Sequence, residues 1–224
     1  MNEPIFIVGA NRSGTTLVRL VLNAHPHIAI PDELTYFDSR LAGVPIETWD
    51  NPPLSRTAYA AFLLQTFNTC FSPLRGIDRS ALMAQLLRHP PSLKRPFETV
   101  LRAWAEHHGK RRWGEKTPSN VFYADVIVDM FPEARFVYVV RDPRDGVASM
   151  QEVSFFPNDT AFNALSRRKH DVEGRSFFEH HVAPSQRMTV QYESFVQAPE
   201  RWTKRMCTFL DEPFHSSMLS FHEN

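Results

Sequence analysis

The segment Gly9-Ala-Asn-Arg12-Ser13-Gly14-Thr15-Thr16 puts two glycines, a cation and three hydroxyls directly after an apolar run, Ile5-Phe-Ile-Val8. Leu17, Leu20, Val21 and Ala24 then recur at helical spacing. A strand, a glycine-bounded loop and a helix start aim backbone N–H groups and the positive end of a helix dipole at one point, which is a site for phosphate. The G-x-x-x-x-G spacing is that of a P-loop. Thr15, however, stands where the motif requires the lysine that reaches the β- and γ-phosphates of a nucleoside triphosphate. With Arg12 inside the loop instead, a different phosphorylated ligand is expected.

A second anion-binding pattern begins at Arg141, which closes the run Arg135-Phe-Val-Tyr-Val-Val140. That run is rich in β-branched and aromatic residues and predicts a buried parallel strand. Asp142 then reads as an N-cap and Pro143 as the first residue of a helix to about Gln151. Arg141 thus falls at the carboxyl end of a strand, where ligands of open α/β sheets bind. Ser149, about two turns into the helix, can reach a group held by the Arg141 fork. Alone, these residues also describe a capped helix start with a surface ion pair. Beside the first loop, they suggest a second phosphate site on the same sheet edge.

Two separated phosphate sites without a P-loop lysine suit 3′-phosphoadenosine 5′-phosphosulfate (PAPS). Here the chain resembles the PAPS-dependent sulfotransferases, most nearly the bacterial and tyrosylprotein-type members. Asn11-Arg-Ser-Gly-Thr-Thr-Leu17 resembles the family's 5′-phosphosulfate loop, and Arg141 through Ser149 its 3′-phosphate motif. Gln191-Tyr192-Glu193-Ser-Phe195, Pro199 and Phe209-Leu-Asp-Glu-Pro213 are similar to the family's strand end and helix end nearer the carboxyl terminus. The resemblance implies transfer of a sulfuryl group to an acceptor hydroxyl or amine, with PAP, adenosine 3′,5′-bisphosphate, as product and no metal. It implies donor contacts from Arg12, Ser13, Gly14, Thr15, Thr16, Arg141, Ser149 and Tyr192.

In such relatives a Glu follows the His-Pro that ends the first helix, and Glu33, after His25-Pro26, matches it as general base. A solvated or helix-capping carboxylate is the plainer reading of Glu33, and Asp32 and Glu115 are rival bases. Lys116, in Trp113-Gly-Glu-Lys-Thr-Pro118, resembles the family's Lys-Thr-Pro segment and would join Arg12 in neutralising the leaving group; its alternative is a structural salt bridge. Tyr192 would contact adenine or ribose, or else be a buried tyrosine with a satisfied hydroxyl. Members of the family usually continue beyond a stretch like Met218-Leu-Ser-Phe-His222, and many carry a Trp in the region matching 161–181. With Asn224 last, the expectation is a chain naturally short or trimmed. A P-loop kinase or NTPase, and a non-catalytic nucleotide-binding module, remain as alternatives.

The elements that must position these groups alternate strand and helix. This predicts a single domain over residues 1–224: α/β, three-layered, a parallel central sheet with helices on both faces, in a P-loop NTPase-like sulfotransferase fold. Strands are expected at 5–8, 28–30, 135–140 and 188–191. Helices are expected at 15–23, 59–70, 80–88, from Pro96 to His107, and at 120–130, 143–151, 161–180 and 200–210. Pro31 to Pro91 is broken by prolines, Pro45 among them, and either shapes an acceptor pocket or is packing cover. Tyr36, Phe37, Trp49 and Phe71 within it would stack on an acceptor or simply pack. Arg167-Arg-Lys169 reads as a solvated basic face.

The formal net charge is zero, so no global field draws the protein to nucleic acid or an anionic membrane. No apolar segment approaches the ~20 residues that span a bilayer. Cys70 and Cys207 are expected to be free thiols in a reducing compartment, and the chain to be cytoplasmic. None of the ten histidines has metal-ligand spacing. The acceptor is left as a small molecule, carbohydrate or peptide, and the state as monomer or homodimer.

Overall fold

The computed structural model describes residues 3–41, 48–49 and 51–223. Among these, five strands form one parallel sheet in the order β2-β3-β1-β4-β5: β1 (Ile5–Gly9), β2 (Ile28–Ala29), β3 (Arg112–Lys116), β4 (Arg135–Val140) and β5 (Arg187–Gln191). β1 lies at the centre, with Ile5 opposite both Gly114 and Arg135. All five of its residues are buried, as expected of a strand covered on both faces. From β1 the chain leaves to one side, towards β2; from β4 it leaves to the other, towards β5. The loops after these adjacent strands therefore diverge and leave a crevice between them, the place where open α/β sheets bind ligands.

The two faces differ in chemistry. Phe6, Trp113, Phe136 and Tyr138 project into an aromatic core with α4 (Lys94–His107), α5 (Ala124–Met130) and α8 (Arg175–His181). Phe6 is fully buried, with the rings of Phe97, Trp113, Phe131 and Phe136 at 5.6–6.3 Å. Ile5, Ile7, Val137 and Val139 project the other way, onto an aliphatic core with α1 (Thr15–Asn23) and α10 (Pro199–Phe209). The expected three-layer α/β architecture is thus the one observed. α1 and β4 keep their predicted bounds.

Several expectations shift. Pro96 is the third residue of α4 rather than the first, because the first turn of a helix has no internal N–H partner to lose. The helix expected over 120–130 opens as a 3₁₀ turn at Pro118–Tyr123 and becomes α-helical at Ala124. The long helix over 161–180 is α7 (Thr160–Arg168), a π-type segment at Lys169–Gly174, and α8. The proline-broken stretch holds α2 (Arg56–Asn68), capped by Ser55, and α3 (Arg79–Leu87), capped by Asp78. Pro45 lies outside the described residues. Tyr36, Phe37, Trp49 and Phe71 are all buried, and the Tyr36 hydroxyl donates to the Leu93 carbonyl. These aromatics therefore pack and do not face an acceptor. The Pro143–Gln151 helix, α6, begins as read, with Asp142 accepting from the Arg144 N–H at 2.9 Å. The closing pieces are α9 (Tyr192–Gln197) and α10.

Candidate active site

A cleft of about 290 Å³ opens at the crevice between β1 and β4, lined by Arg12, Gly14, Thr15, Thr16, Arg141 and Ser149, with Glu33 and Tyr192 at its sides. Gly14 is the N-cap residue of α1 and has φ of 98°, left-handed backbone that favours glycine. A Cβ there would also collide with the Tyr192 ring. No side chain caps α1. The orphan N–H groups of its first turn are therefore left for a ligand, at the positive end of the dipole. Ser13 differs from its neighbours. Its side chain is fully buried and its N–H is bonded to the Ala10 carbonyl at 3.2 Å, so it shapes the turn and does not line the cleft.

Arg12 and Arg141 approach the cleft from the ends of adjacent strands. Arg12 Nε donates to Ser149 Oγ at 3.1 Å, which joins the two predicted phosphate motifs directly. Arg141 donates to the Arg12 carbonyl at 3.2 Å and lies over the Tyr192 ring, 4.5 Å from its centroid. The buried Nε of Arg141 has no partner. Among the described residues neither guanidinium is paired with a carboxylate. Two cations without counter-charges among the described residues, beside an uncapped helix start, suit this cleft to an anion.

Arg167 was not expected here. The basic run on α7 does not form a solvated face at this residue, because Arg167 is only 1 % exposed. Its guanidinium donates to the carbonyls of Asn11 at 3.0 Å and Arg141 at 2.8 Å, and Asp171 orients it at 2.6 Å. It therefore ties the two anion-binding loops to one helix. Gly146 makes room, since a Cβ there would strike the Arg167 guanidinium. The legible signals were a glycine inside α6 and an acid four residues after Arg167; their meeting is tertiary.

On the opposite wall, Lys116 is almost fully buried and ion-paired with Glu33, with its Nζ 3.4 Å from Thr16 Oγ1. Glu33 lines the cleft and is 43 % exposed. Its two rivals do not line it. Asp32 is 74 % exposed and paired with Arg19 at 2.8 Å. Glu115 is buried and accepts from the Thr117 hydroxyl and the Asn120 amide. Desolvation pushes the Glu115 carboxyl up to about 7, against the opposing pull of the Thr117 hydrogen bond and Lys116.

One histidine–carboxylate cluster exists among the described residues: His25, His27 and Glu212. His25 Nδ1 accepts the His27 N–H at 3.1 Å, which leaves its Nε2–H to donate to the Pro213 carbonyl at 2.8 Å. Glu212 is held by Arg111 at 2.9 Å and by His27 at 3.0 Å. Both nitrogens of His25 are engaged with backbone, and the cluster latches residues 212–213 onto the end of α1. Cys70 and Cys207 are buried, free thiols.

The model of the sulfotransferase family matches residues 4–216. This chain belongs to that family. Among curated proteins it is 26 % identical to a putative protein-tyrosine sulfotransferase of Caenorhabditis briggsae, over 98 % of this chain and 69 % of that one. It is 25 % identical to the protein-tyrosine sulfotransferase of Drosophila melanogaster, over 98 % of this chain and 40 % of that one. The chain thus spans from two-fifths to about two-thirds of these relatives' lengths. Among solved structures, it resembles the sulfotransferase domain of the Synechococcus olefin synthase (TM-score 0.67, 20 % identity, 100 % of this chain and 79 % of that one). It also resembles a mouse sulfotransferase complexed with PAP (TM-score 0.50, 16 % identity, 97 % and 61 %). No described helix is long and apolar enough to cross a membrane.

In this family member, Arg167→Met is expected to destabilise the fold by about 3 kcal/mol or more, read by urea unfolding, because it removes a buried, paired charge and strands two carbonyls. The raised Glu115 pKa sets a second expectation. Between pH 4.5 and about 7 the folded state keeps a proton that the unfolded chain has released. Stability from this group therefore falls as pH rises through that window and levels off above it. Unfolding curves of Glu115→Gln across the same pH range should lack this component.

Proposed function

We propose that this chain transfers a sulfuryl group from PAPS to an acceptor hydroxyl. The observation that carries the reading is the pair of unpaired guanidiniums, Arg12 and Arg141, on one cleft at the uncapped start of α1. The backbone N–H groups and hydroxyls of Thr15 and Thr16, with the Gly14 turn, would hold the 5′-phosphate. Arg141 and Ser149 would hold the 3′-phosphate. Tyr192, already stacked on Arg141, would flank the nucleoside. A mouse sulfotransferase of similar fold, complexed with PAP, supports this donor.

Glu33 would take the proton of the acceptor hydroxyl as its oxygen forms a bond to sulfur and the bond from sulfur to the bridging phosphate oxygen breaks. One Glu33 oxygen is held by Lys116, which leaves the other for that proton. Lys116 and Arg12 would offset the charge that develops on the departing bisphosphate. These fixed cations supply the positive charge that metal ions supply in phosphoryl transfer. A kinase or NTPase reading is weaker, since the position of the P-loop lysine holds Thr15.

For the acceptor, the names of the relatives make a tyrosyl hydroxyl the first to test. The exposed ring of Phe155 beside Phe156 at the cleft mouth suits a planar group. The buried free thiols accord with a reducing, cytoplasmic setting.

Calorimetric titration with PAP, 5′-AMP and ATP–Mg²⁺ tests the donor. PAP should bind without metal about tenfold or more tighter than 5′-AMP, the worth of one charge-assisted contact, and Arg141→Ala should erase that preference. Equal affinities would remove the argument for two phosphate sites. In Glu33→Gln, PAP formation from PAPS should fall by ~10²–10⁴ with nucleotide affinity little changed. Turnover at the wild-type rate would assign the base elsewhere.

A further inference from the structure

β2 ends at Ala29, opposite Trp113. Among the described residues the rest of β3 therefore has no ladder partner on that side, and the segment carrying Glu33 docks there by other means. The Leu34 N–H lies near the Glu115 carboxylate and favours its charged form, and the Thr35 N–H donates to Thr117 Oγ1 at 3.3 Å. Thr117 in turn donates to Glu115, and Asn120 adds a second donor. Thr35 holds φ of 50°, a costly conformation for a β-branched residue that needs fixed neighbours to persist. Glu115 faces the aromatic side of the sheet with Trp113, opposite Phe6 in β1. Lys116, one residue on, turns to the other side and meets Glu33. Consecutive residues of one strand thus hold the backbone just after Glu33 and the carboxylate of Glu33 itself.

We propose that Glu115 is a positioning residue: its carboxylate, acting through Leu34 N–H and Thr117, fixes the loop so that Glu33 stands against Lys116 at the cleft. The inference rests on Glu33 serving as the base. It adds a role for a buried acid that touches neither donor nor acceptor. As an anion, Glu115 accepts from Thr117 and Asn120 and attracts the Leu34 N–H; once protonated, it surrenders acceptor capacity and loosens its hold on Thr117 and Leu34. The charged groups acting on it are Lys116 from its own strand and Glu33 from the loop, while the 118–123 turn presents neutral Asn120 and β1 presents Phe6. Burial places its titration at about 7, so the loop tightens as pH rises through neutrality.

The test uses the whole ligand-free protein and amide NMR across pH 5.5–8.5, together with PAP formation from PAPS and a tyrosyl peptide. The Leu34 and Thr35 amide signals should shift together through one step at about pH 7 and lose that step in Glu115→Gln. In that variant, kcat should fall about ten- to a hundredfold, the cost of a displaced catalytic group. PAP affinity and the KM for peptide should hold, and the rising limb of the kcat–pH profile should vanish. Thr117→Val, which leaves the charge in place, should lower kcat several-fold while the Leu34 step persists. Amides without the step, or wild-type kcat in both variants, would overturn the proposal. If wild-type protein neither binds PAP nor consumes PAPS, the functional reading fails instead, and the amide titration alone decides whether Glu115 holds the loop.

Discussion

The structure is organised around two guanidinium groups held at the ends of adjacent strands, neither paired with a carboxylate among the described residues. Arg12 and Arg141 repel each other, and folding brings them to one cleft, so other contacts must offset that cost. The offset comes through the backbone. Arg167, buried under α7, donates to Asn11 and Arg141 carbonyls, and Arg141 donates to the Arg12 carbonyl. Each cation is held by neutral acceptors, and the charge stays available to a ligand. A carboxylate in the same place would have stabilised the empty protein and closed the site.

The other wall follows the opposite rule. Lys116 and Glu33 are paired, and a second acid, Glu115, lies behind them on the far side of the strand. This arrangement separates the tasks of one cleft. One side presents unpaired cations to an anion, and the other presents a carboxylate whose position is set by a buried network. The network is expensive to bury, which the upward shift of Glu115 expresses directly. Such expense is tolerated where geometry matters more than stability.

Much of this was legible in the chain. The strand–loop–helix at residues 5–23 and the strand–turn–helix at 135–151 follow from apolar runs, an uncapped glycine turn and an Asp-Pro start, all local signals. The three-layer fold followed from their alternation. Local signals were weaker in the proline-broken stretch. There, Tyr36, Phe37, Trp49 and Phe71 offered no period to say whether they met solvent or core, and the aromatic core claimed them all. Charge alone misplaced Arg167, because a basic run on a helix looks solvated until a neighbouring glycine and two free carbonyls are brought to it.

The sequence by itself determined the two loops suited to anions, the helix starts that feed them and the absence of a P-loop lysine, since each is set by residues within a few positions of one another. Tertiary structure decided which of three acids lines the cleft, the burial of Ser13 and Arg167, and the pairing of Lys116 with Glu33 beside Thr16. Lys116 reaches Thr16 from β3, a hundred residues along the chain. A parallel sheet pairs strands far apart in sequence, and side chains that meet across such pairs leave no spacing to read.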